Sequence, residues 1–304
     1  MMDLRRLQYF VVLAQELHFG RAAGRLHIAQ PGLSQQIQVL ENELGVRLFD
    51  RSRRGVSLTA EGAILLAEAE SLLRHAEAFL DTAKSLSSGL GGRLRIAHNR
   101  STPQLGTGDL LTRFRTLYPD VHIEVESGWT AHNIEVLRRG DTDIAFVRFP
   151  LLDADGIEYL TLGWSEIVAV LPAGHPLAAG EEIDPELLRN ERVVFSPRRN
   201  SPGYHDEIIR QLWGAEPPRH VLEEADGSFV IQAVHAGQGF GVLDRSRAEL
   251  MSPSGVVIRP FCAPVPRLGY GIAWSEGEHL SPATEKFIEF AKTWLREQGA
   301  DSES

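Results

Sequence analysis

Amide and hydroxyl side chains recur along one short segment near the N-terminus. The segment reads Gln30-Pro31-Gly32-Leu33-Ser34-Gln35-Gln36. Glutamine and serine both donate and accept hydrogen bonds, which is the chemistry that reads base edges in the DNA major groove. Farther along, Arg53 and Arg54 supply cations that suit phosphates or a narrow minor groove. The pattern therefore indicates a surface that binds nucleic acid.

Short helices are predicted to position these side chains. One apolar face recurs at helical spacing in the first of them, at Leu7, Phe10, Val11, Ala14 and Leu17. Pro31 is expected to start a third helix, and Gly45 is expected to end it. Residues 48–58, centred on Arg53-Arg54-Gly55, read as a small hairpin. Helices, a tight turn and a basic hairpin form the winged helix-turn-helix pattern, and a helical bundle with a solvated polar face is the alternative.

Charge is distributed unevenly along the chain of 304 residues. The net charge is −10, but residues 1–60 hold eight arginines against five carboxylates, which leaves +3 there and −13 on the remainder. A basic module on an acidic body suggests that the module meets a polyanion and that the body has another task.

A long helix is predicted from residue 60 to about residue 87. Thr59 can cap it, and its apolar residues follow an uninterrupted heptad spacing at Leu65, Ala69, Leu72, Ala76, Phe79, Ala83 and Leu86. Such a stripe needs a partner surface. Self-association is the economical answer, and packing on the first domain or on the body is the alternative.

Beyond the glycine-rich hinge at residues 89–92, short strands alternate with helices. Strands are expected at residues 94–97, 121–125, 143–147, 167–171, 192–195, 241–243 and 268–274, and helices at 110–118, 133–139, 206–213, 230–235 and 282–296. This alternation predicts an α/β domain with parallel strand pairing.

The N-terminal residues closely resemble the signature of the LysR-type transcriptional regulators. The resemblance is carried by residues 19–37, by Leu40-Glu41, by residues 44–51 and by Leu58-Thr59-Ala60-Glu61-Gly62. Weaker matches follow in the body, in the expected order. They are Phe114 to Val121, Gly140-Asp141-Thr142-Asp143, His175-Pro176-Leu177 and Ala236-Gly237-Gln238-Gly239.

The resemblance implies an α/β protein with three parts. These are an N-terminal winged helix-turn-helix, a long linker helix, and a C-terminal two-lobed α/β domain of the type-2 periplasmic-binding-protein kind. The expected boundaries are 1–58 for the DNA-binding domain, 59–88 for the linker helix, 89–92 for the hinge and 93–304 for the regulatory domain. Lobe I is expected at 93–162 and 264–304, and lobe II at 163–263.

The resemblance also implies which residues touch DNA. They are Ala29, Gln30, Pro31, Ser34, Gln35 and Gln36 on the helix, with Arg53 and Arg54 on the wing. Two positions depart from the family pattern, since Gln35 stands where Arg is frequent and Gly32 stands where Ala is common.

In the body, the pattern most resembles regulators of aromatic-compound breakdown, so the implied effector is a small carboxylate or an aromatic acid bound between the lobes. The implied contacts are Ser101, Thr102, Thr130, Arg148, Pro202, Tyr204 and Phe229. Ser101 and Thr102 precede a predicted helix, where free N–H groups favour an anion. Arg148, at a strand end, can hold a carboxylate with two parallel hydrogen bonds.

The expected partners are double-stranded DNA, a small-molecule effector and RNA polymerase. The chain is also expected to form a homodimer through the linker helix, and a homotetramer. A solute-binding protein of the same fold is the alternative, but it leaves residues 1–88 unexplained. No catalytic motif, metal or cofactor is expected, because phosphate-loop and nucleophile-elbow spacings are absent and Cys262 is the one cysteine. No apolar run suits a membrane span, so the expected location is the cytoplasm.

Overall fold

The computed structural model describes residues 3–52, 55–88, 92–214, 217–218, 220–251, 253–276 and 280–301. Arg53 and Arg54, predicted to form the tip of the wing, lie outside these residues. The chain divides into two compact units, residues 1–89 and residues 90–304. Among the described helices, none combines the length and the apolar character that a membrane crossing requires.

The N-terminal unit is a winged helix-turn-helix followed by a long helix, as predicted. Its elements are α1 (Leu4–Glu16), α2 (Phe19–Arg25), α3 (Gln30–Leu44), β1 (Phe49–Ser52), β2 (Gly55–Leu58) and α4 (Ala60–Ser88). Pro31 lies in the first turn of α3, which begins one residue before the predicted start. Gly45 ends α3 in the left-handed conformation with φ of 71°, a backbone geometry that favours glycine. Strands β1 and β2 pair as an antiparallel hairpin.

A buried carboxylate attaches this hairpin to α3. Glu41 is 6% exposed, and its Oε1 accepts hydrogen bonds from the backbone amides of Leu48 (2.9 Å) and Phe49 (3.2 Å). The Phe49 ring then packs edge-on against Phe10 of α1, with ring centroids 5.6 Å apart. The hairpin is therefore held to the helices both by polar contacts and by the apolar core.

The first turn of helix α4 packs closely against Leu48, the residue before β1. Thr59 Oγ1 accepts a hydrogen bond from the Gly62 amide (2.9 Å), so Thr59 caps α4 as predicted. A Cβ on Gly62 would lie 2.1 Å from the carbonyl oxygen of Leu48, and only glycine allows this approach. The start of α4 is thus fixed by both a cap and a steric requirement.

The heptad stripe of α4 has two environments. Leu65 and Ala69 pack into the core of the same unit, which is the alternative to self-association left open for the stripe. Farther along, Leu72 is 43% exposed and Phe79 is 73% exposed. The side chain of Leu86 lies outside the described residues. Within the stripe, the large apolar side chains that lack cover therefore belong to its second half.

The C-terminal unit is an α/β domain. Its strands are β3 (Arg93–Asn99), β4 (His122–Gly128), β5 (Ile144–Arg148), β6 (Ile157–Pro172), β7 (Arg192–Phe195), β8 (His220–Glu223), β9 (Phe240–Asp244), β10 (Val256–Pro260) and β11 (Arg267–Ser275). Its helices are α5 (Thr107–Leu117), α6 (Thr130–Arg138), α7 (Pro202–Trp213), α8 (Gly227–His235), α9 (Arg245–Met251) and α10 (Pro282–Asp301). Single 3₁₀ turns occupy Pro103–Leu105, Pro176–Ala179, Pro185–Leu188 and Arg198–Asn200.

These strands form two halves joined by β6. The strand order is β4-β3-β5-β11-β6-β9-β7-β8, with β10 also paired to β6. β3 pairs in parallel with β4 and β5, and β7 pairs in parallel with β8 and β9, as the alternation predicts. The first part of β6 pairs with β11, and its last part pairs with β9 and β10. We call the sheet from β4 to β11 the first half and the sheet from β9 to β8 the second half.

Each half has its own apolar core. Phe114, Phe146 and Phe287 are fully buried in the first, while Ile167 and Phe240 are fully buried in the second. The sequence pattern predicted β7 with its observed bounds, but it did not predict β8, β10, α9 or the first ten residues of β6. In that part of β6 only some side chains are buried, so the apolar signal of a strand is weak there.

Glu41 offers a test of the contact between α3 and the hairpin. Glu41→Leu should lower the free energy of unfolding of the N-terminal unit by about 2 kcal/mol, because two buried amides lose their acceptor. Hydrogen exchange of the backbone amides of α1–α3 in the full chain reports the unfolding of this unit separately from the helices of the C-terminal unit. Glu43→Leu is the control, since Glu43 forms an exposed pair with Arg6 (2.6 Å) that should be worth less than about 1 kcal/mol. Equal losses in the two variants would contradict the role of Glu41.

Candidate functional site

The outer face of α3 carries a set of exposed polar side chains. Gln30, Pro31 and Gln35 are exposed, and so is Ala29 just before the helix. Leu33, on the opposite face, is fully buried, so the helix is anchored by its apolar side. The amide groups of Gln30 and Gln35 are therefore presented to solvent, as the spacing predicted.

Two of the predicted contact residues already bond within the chain. Arg51 of β1 donates to Ser34 Oγ (3.2 Å), and Arg6 of α1 donates from Nε to Gln36 Oε1 (3.0 Å). The Arg51 guanidinium also lies over the Phe19 ring, 4.9 Å from its centroid. Arg51 is a residue that the sequence analysis passed over. Its position in β1, the first strand of the predicted hairpin, was the available signal.

In the C-terminal unit, a cavity of about 40 Å³ lies between the two halves of the sheet. Three of the predicted effector contacts line this cavity, namely Ser101, Arg148 and Tyr204. Arg148 ends β5 in the first half, whereas Tyr204 belongs to α7 in the second. The structure therefore brings together residues from distant parts of the chain.

Arg148 is the largest fully buried side chain among the described residues, at 1% exposure. Its Nη2 donates to Asp244 Oδ1 and to the Tyr204 hydroxyl (2.9 Å), and the Tyr204 hydroxyl donates to the same carboxylate oxygen (3.2 Å). The guanidinium carbon lies 4.3 Å from the centre of the Tyr204 ring. Arg148 Nε and Nη1 have no hydrogen-bond partner in the part of the chain that the structure describes. The sequence predicted a cation here but not the internal carboxylate that neutralises it.

The protonation states of this cluster follow from its burial. Burial by itself lowers the pKa of the Arg148 guanidinium, but the charge and hydrogen bond of Asp244, together with Tyr204 and Tyr270, outweigh it and raise the pKa above its ordinary value. Burial raises the pKa of the Tyr204 hydroxyl far above its usual range, so this group stays neutral. Burial also lowers the pKa of His205, which lines the same cavity, so the imidazole is neutral near pH 7.

The hydroxyl residues of the first half form an internal network. The amide and hydroxyl of Ser101 donate to Asn99 Oδ1 (2.9 and 2.7 Å), and Asn99 Nδ2 donates to Thr130 Oγ1 (2.9 Å). The amide and hydroxyl of Thr102 donate to the Asn99 carbonyl (3.2 and 3.1 Å). These amides are therefore not the free N–H groups that the sequence analysis expected, because the Asn99 side chain and backbone accept from them.

The remaining predicted contacts are not among the residues that line the cavity. Thr130 Oγ1 accepts a hydrogen bond from the Arg148 amide (3.0 Å), so it supports the arginine from behind. Pro202 occupies the first turn of α7, two residues before Tyr204. Phe229, in the first turn of α8, is 49% exposed and is not among the residues that line the cavity.

The cavity residues that were not predicted from the sequence include Trp129, Asp244 and Arg247. Asp244 ends β9 and Arg247 lies in the helix that follows. A signal was present, because charged residues directly after a buried strand had already singled out Arg148. No group of three or more His, Cys, Asp or Glu residues within the described ranges could hold a metal ion.

Two family descriptions, each matching a different part, together cover most of the chain. Residues 4–63 match "Bacterial regulatory helix-turn-helix protein, lysR family", and residues 87–296 match "LysR substrate binding domain". Among curated relatives, the regulator YnfL of Escherichia coli strain K12 is 34% identical over 289 residues, covering 94% of this chain and 96% of YnfL. The Hca operon transcriptional activator HcaR of the same organism is 35% identical over 299 residues, with the same coverage.

Solved structures agree with this assignment. A full-length OxyR variant from Pseudomonas aeruginosa superposes with a TM-score of 0.69 at 29% identity, covering 97% of this chain and 95% of that one. The predicted resemblance is thereby confirmed. The chain belongs to the LysR family of transcriptional regulators, in which a helix-turn-helix domain binds DNA and a C-terminal domain binds an effector.

Proposed function

We propose that this regulator responds to a small carboxylate or an aromatic acid bound in the cavity between the two halves of the C-terminal unit. One observation carries the proposal: the buried Arg148 guanidinium keeps two nitrogens without partners among the described residues, and it does so at a cavity. A buried guanidinium with free N–H groups suits a carboxylate, because a free N–H donates a charge-assisted hydrogen bond to it. Of the predicted contacts, Ser101 and Tyr204 line the same space, while Thr102, Thr130, Pro202 and Phe229 are proposed to adjust the site from its edges.

The proposed DNA-contacting set is the exposed face of α3 with the wing. It comprises Ala29, Gln30, Pro31, Ser34, Gln35, Gln36, Arg53 and Arg54. Exposure of Gln30 and Gln35 supports this assignment, because both amides are available to base edges. The excess of arginine in residues 1–60 supports contact with double-stranded DNA.

The second half of the α4 stripe supports a homodimer through the linker helix, because Leu72 and Phe79 leave apolar surface exposed in the single chain. We further propose a homotetramer, a contact with RNA polymerase, a location in the cytoplasm and no catalytic activity. The domain limits proposed from the sequence are 1–58, 59–88, 89–92 and 93–304.

A thermal-shift screen tests the effector class. Small carboxylates and aromatic acids should raise the melting temperature, because a ligand that binds only the folded state stabilises it. Each hit is then added to a complex of the full-length protein with a duplex selected from a random-sequence library. The effector class is wrong if neutral compounds alone raise the melting temperature or alter the affinity for this duplex.

The base-reading role of α3 is tested by Gln30→Ala. Its affinity for the selected duplex should fall by about 1–3 kcal/mol, because a base edge loses a hydrogen-bonding partner. Fluorescence anisotropy measures the affinity for the selected duplex and for a random one. Gln38→Ala is the control, since Gln38 is exposed on α3 but outside the proposed set. Equal losses on both duplexes would show that Gln30 does not read sequence.

Assembly through α4 is tested by the double variant Leu72→Glu/Phe79→Glu. Because both side chains are exposed in the single chain, the fold should tolerate the change, while charges buried at a helix–helix seam are costly. Light scattering should therefore report a smaller mass. Ala67→Glu/Ser71→Glu adds the same charges on the opposite face of α4 and should keep the parent mass. An unchanged mass for the first variant places the main contact elsewhere.

A further inference from the structure

A second buried guanidinium faces the cavity. Arg247 of α9 is 6% exposed, and its Nε has no hydrogen-bond partner within the described ranges. No described carboxylate lies within ion-pair distance of it. A Cβ placed on Gly227 would lie 2.6 Å from this Nε, so the guanidinium lies directly against the backbone of α8. The guanidinium carbon also lies 5.9 Å from the centroid of the Trp129 ring.

The charges around Arg247 do not balance. The cavity is lined by two guanidinium groups and by one carboxylate, Asp244, which is paired with Arg148. Asp226 is the next carboxylate near Arg247, but its Oδ1 accepts three hydrogen bonds at the start of α8. Burial lowers the pKa of Arg247, yet a guanidinium remains charged near pH 7. Among its described lining residues, the cavity therefore keeps one positive charge without a partner.

An unpaired buried charge is costly to a fold, and a bound anion removes that cost. We propose that Arg247 is the anchoring cation of the effector site and that the site takes a small monocarboxylate rather than a dicarboxylate. The carboxylate of the ligand lies between Arg247 and one of the free N–H groups of Arg148. This inference rests on the proposed function and names the charge class of its effector.

The remaining cavity residues fit such a ligand. Trp129, Phe195 and Leu243 provide apolar surface for its uncharged part. Asp244 repels a second negative charge, because its own carboxylate already occupies one side of Arg148. The volume of about 40 Å³ holds roughly three waters, which is the space of a carboxylate with few additional atoms. A larger acid requires the two halves of the sheet to move apart.

Titration calorimetry on the full-length protein at constant ionic strength tests the charge class. The probes are propionate and benzoate, their dianionic counterparts succinate and phthalate, and the neutral propionamide and benzamide. Each monocarboxylate should bind at least about tenfold more tightly than its dicarboxylate and its amide, since a charge-assisted pair is gained without a second buried charge. Asp244→Asn should reduce the preference for propionate over succinate.

Variants of the two arginines separate binding from folding. Arg247→Met should weaken propionate binding at least about tenfold, and the melting temperature of the ligand-free protein should rise or stay unchanged, because an unpaired charge is removed. Arg148→Met should instead lower the melting temperature, since Asp244 is left buried without its cation. Arg199→Met is the matched control, because Arg199 is exposed and pairs with Glu223 outside the cavity.

A further variant, Gly227→Ala, keeps both charges but displaces the Arg247 guanidinium, so it should also weaken propionate binding. The proposal is overturned if Arg247→Met binds propionate as tightly as the parent, if a dicarboxylate binds the parent more tightly than its monocarboxylate, or if none of these probes binds. Any of these three results would still be compatible with the proposed regulatory function if another compound from the wider screen alters the affinity for DNA. Failure of that screen counts against the proposed function itself.

Discussion

The ion pair between Arg148 and Asp244 is the contact on which the C-terminal unit depends. Arg148 ends β5 and Asp244 ends β9, so the pair joins the two halves of the sheet across the cavity. Both side chains are almost fully buried, and such a pair adds little net stability compared with apolar packing. Removal of only one of the two charges is costly, however, because the other charge then stays buried without a partner. The pair therefore specifies how the halves approach each other more than how stable they are.

Tyr204 and Thr130 hold this pair in place from opposite directions. The Tyr204 hydroxyl bonds to both charged groups, while Thr130 accepts from the Arg148 backbone and from Asn99. The hydroxyl groups expected to face a ligand are thus used in part to orient the cation. The arginine nitrogens left without partners among the described residues, rather than the hydroxyls, distinguish this cavity from an ordinary packed interior.

The sequence predicted the N-terminal unit well because its signals are local. Pro31, Gly45 and Thr59 mark helix ends through their own backbone and side-chain chemistry, and the structure places all three at helix ends. The predicted strand at residues 192–195 matches β7 because its buried apolar run is compact. Periodicity also identified the α4 stripe, but it did not reveal that Leu65 and Ala69 pack inside the unit.

The cavity was harder to predict because its members are distant in sequence. Arg148 could be found from its place at a strand end, but its pairing with Asp244 depends on strand order, which the local pattern does not determine. Helix α9 was missed because Arg245-Ser246-Arg247 carries a charged run in a helix of seven residues. A short, charged segment has no apolar stripe to mark it, although Ala248 is fully buried.

Strand β6 sets a limit on how the two halves can move. It is one continuous strand of 16 residues, hydrogen-bonded to β11 in its first part and to β9 and β10 in its last. The pairing with β11 is irregular between Tyr270 and Gly271, opposite Gly163. Any rotation of one half against the other must therefore change the twist of this strand near that irregularity. A hydrogen-bonded strand, rather than an unpaired loop, thus resists such a rotation at this point of the sheet.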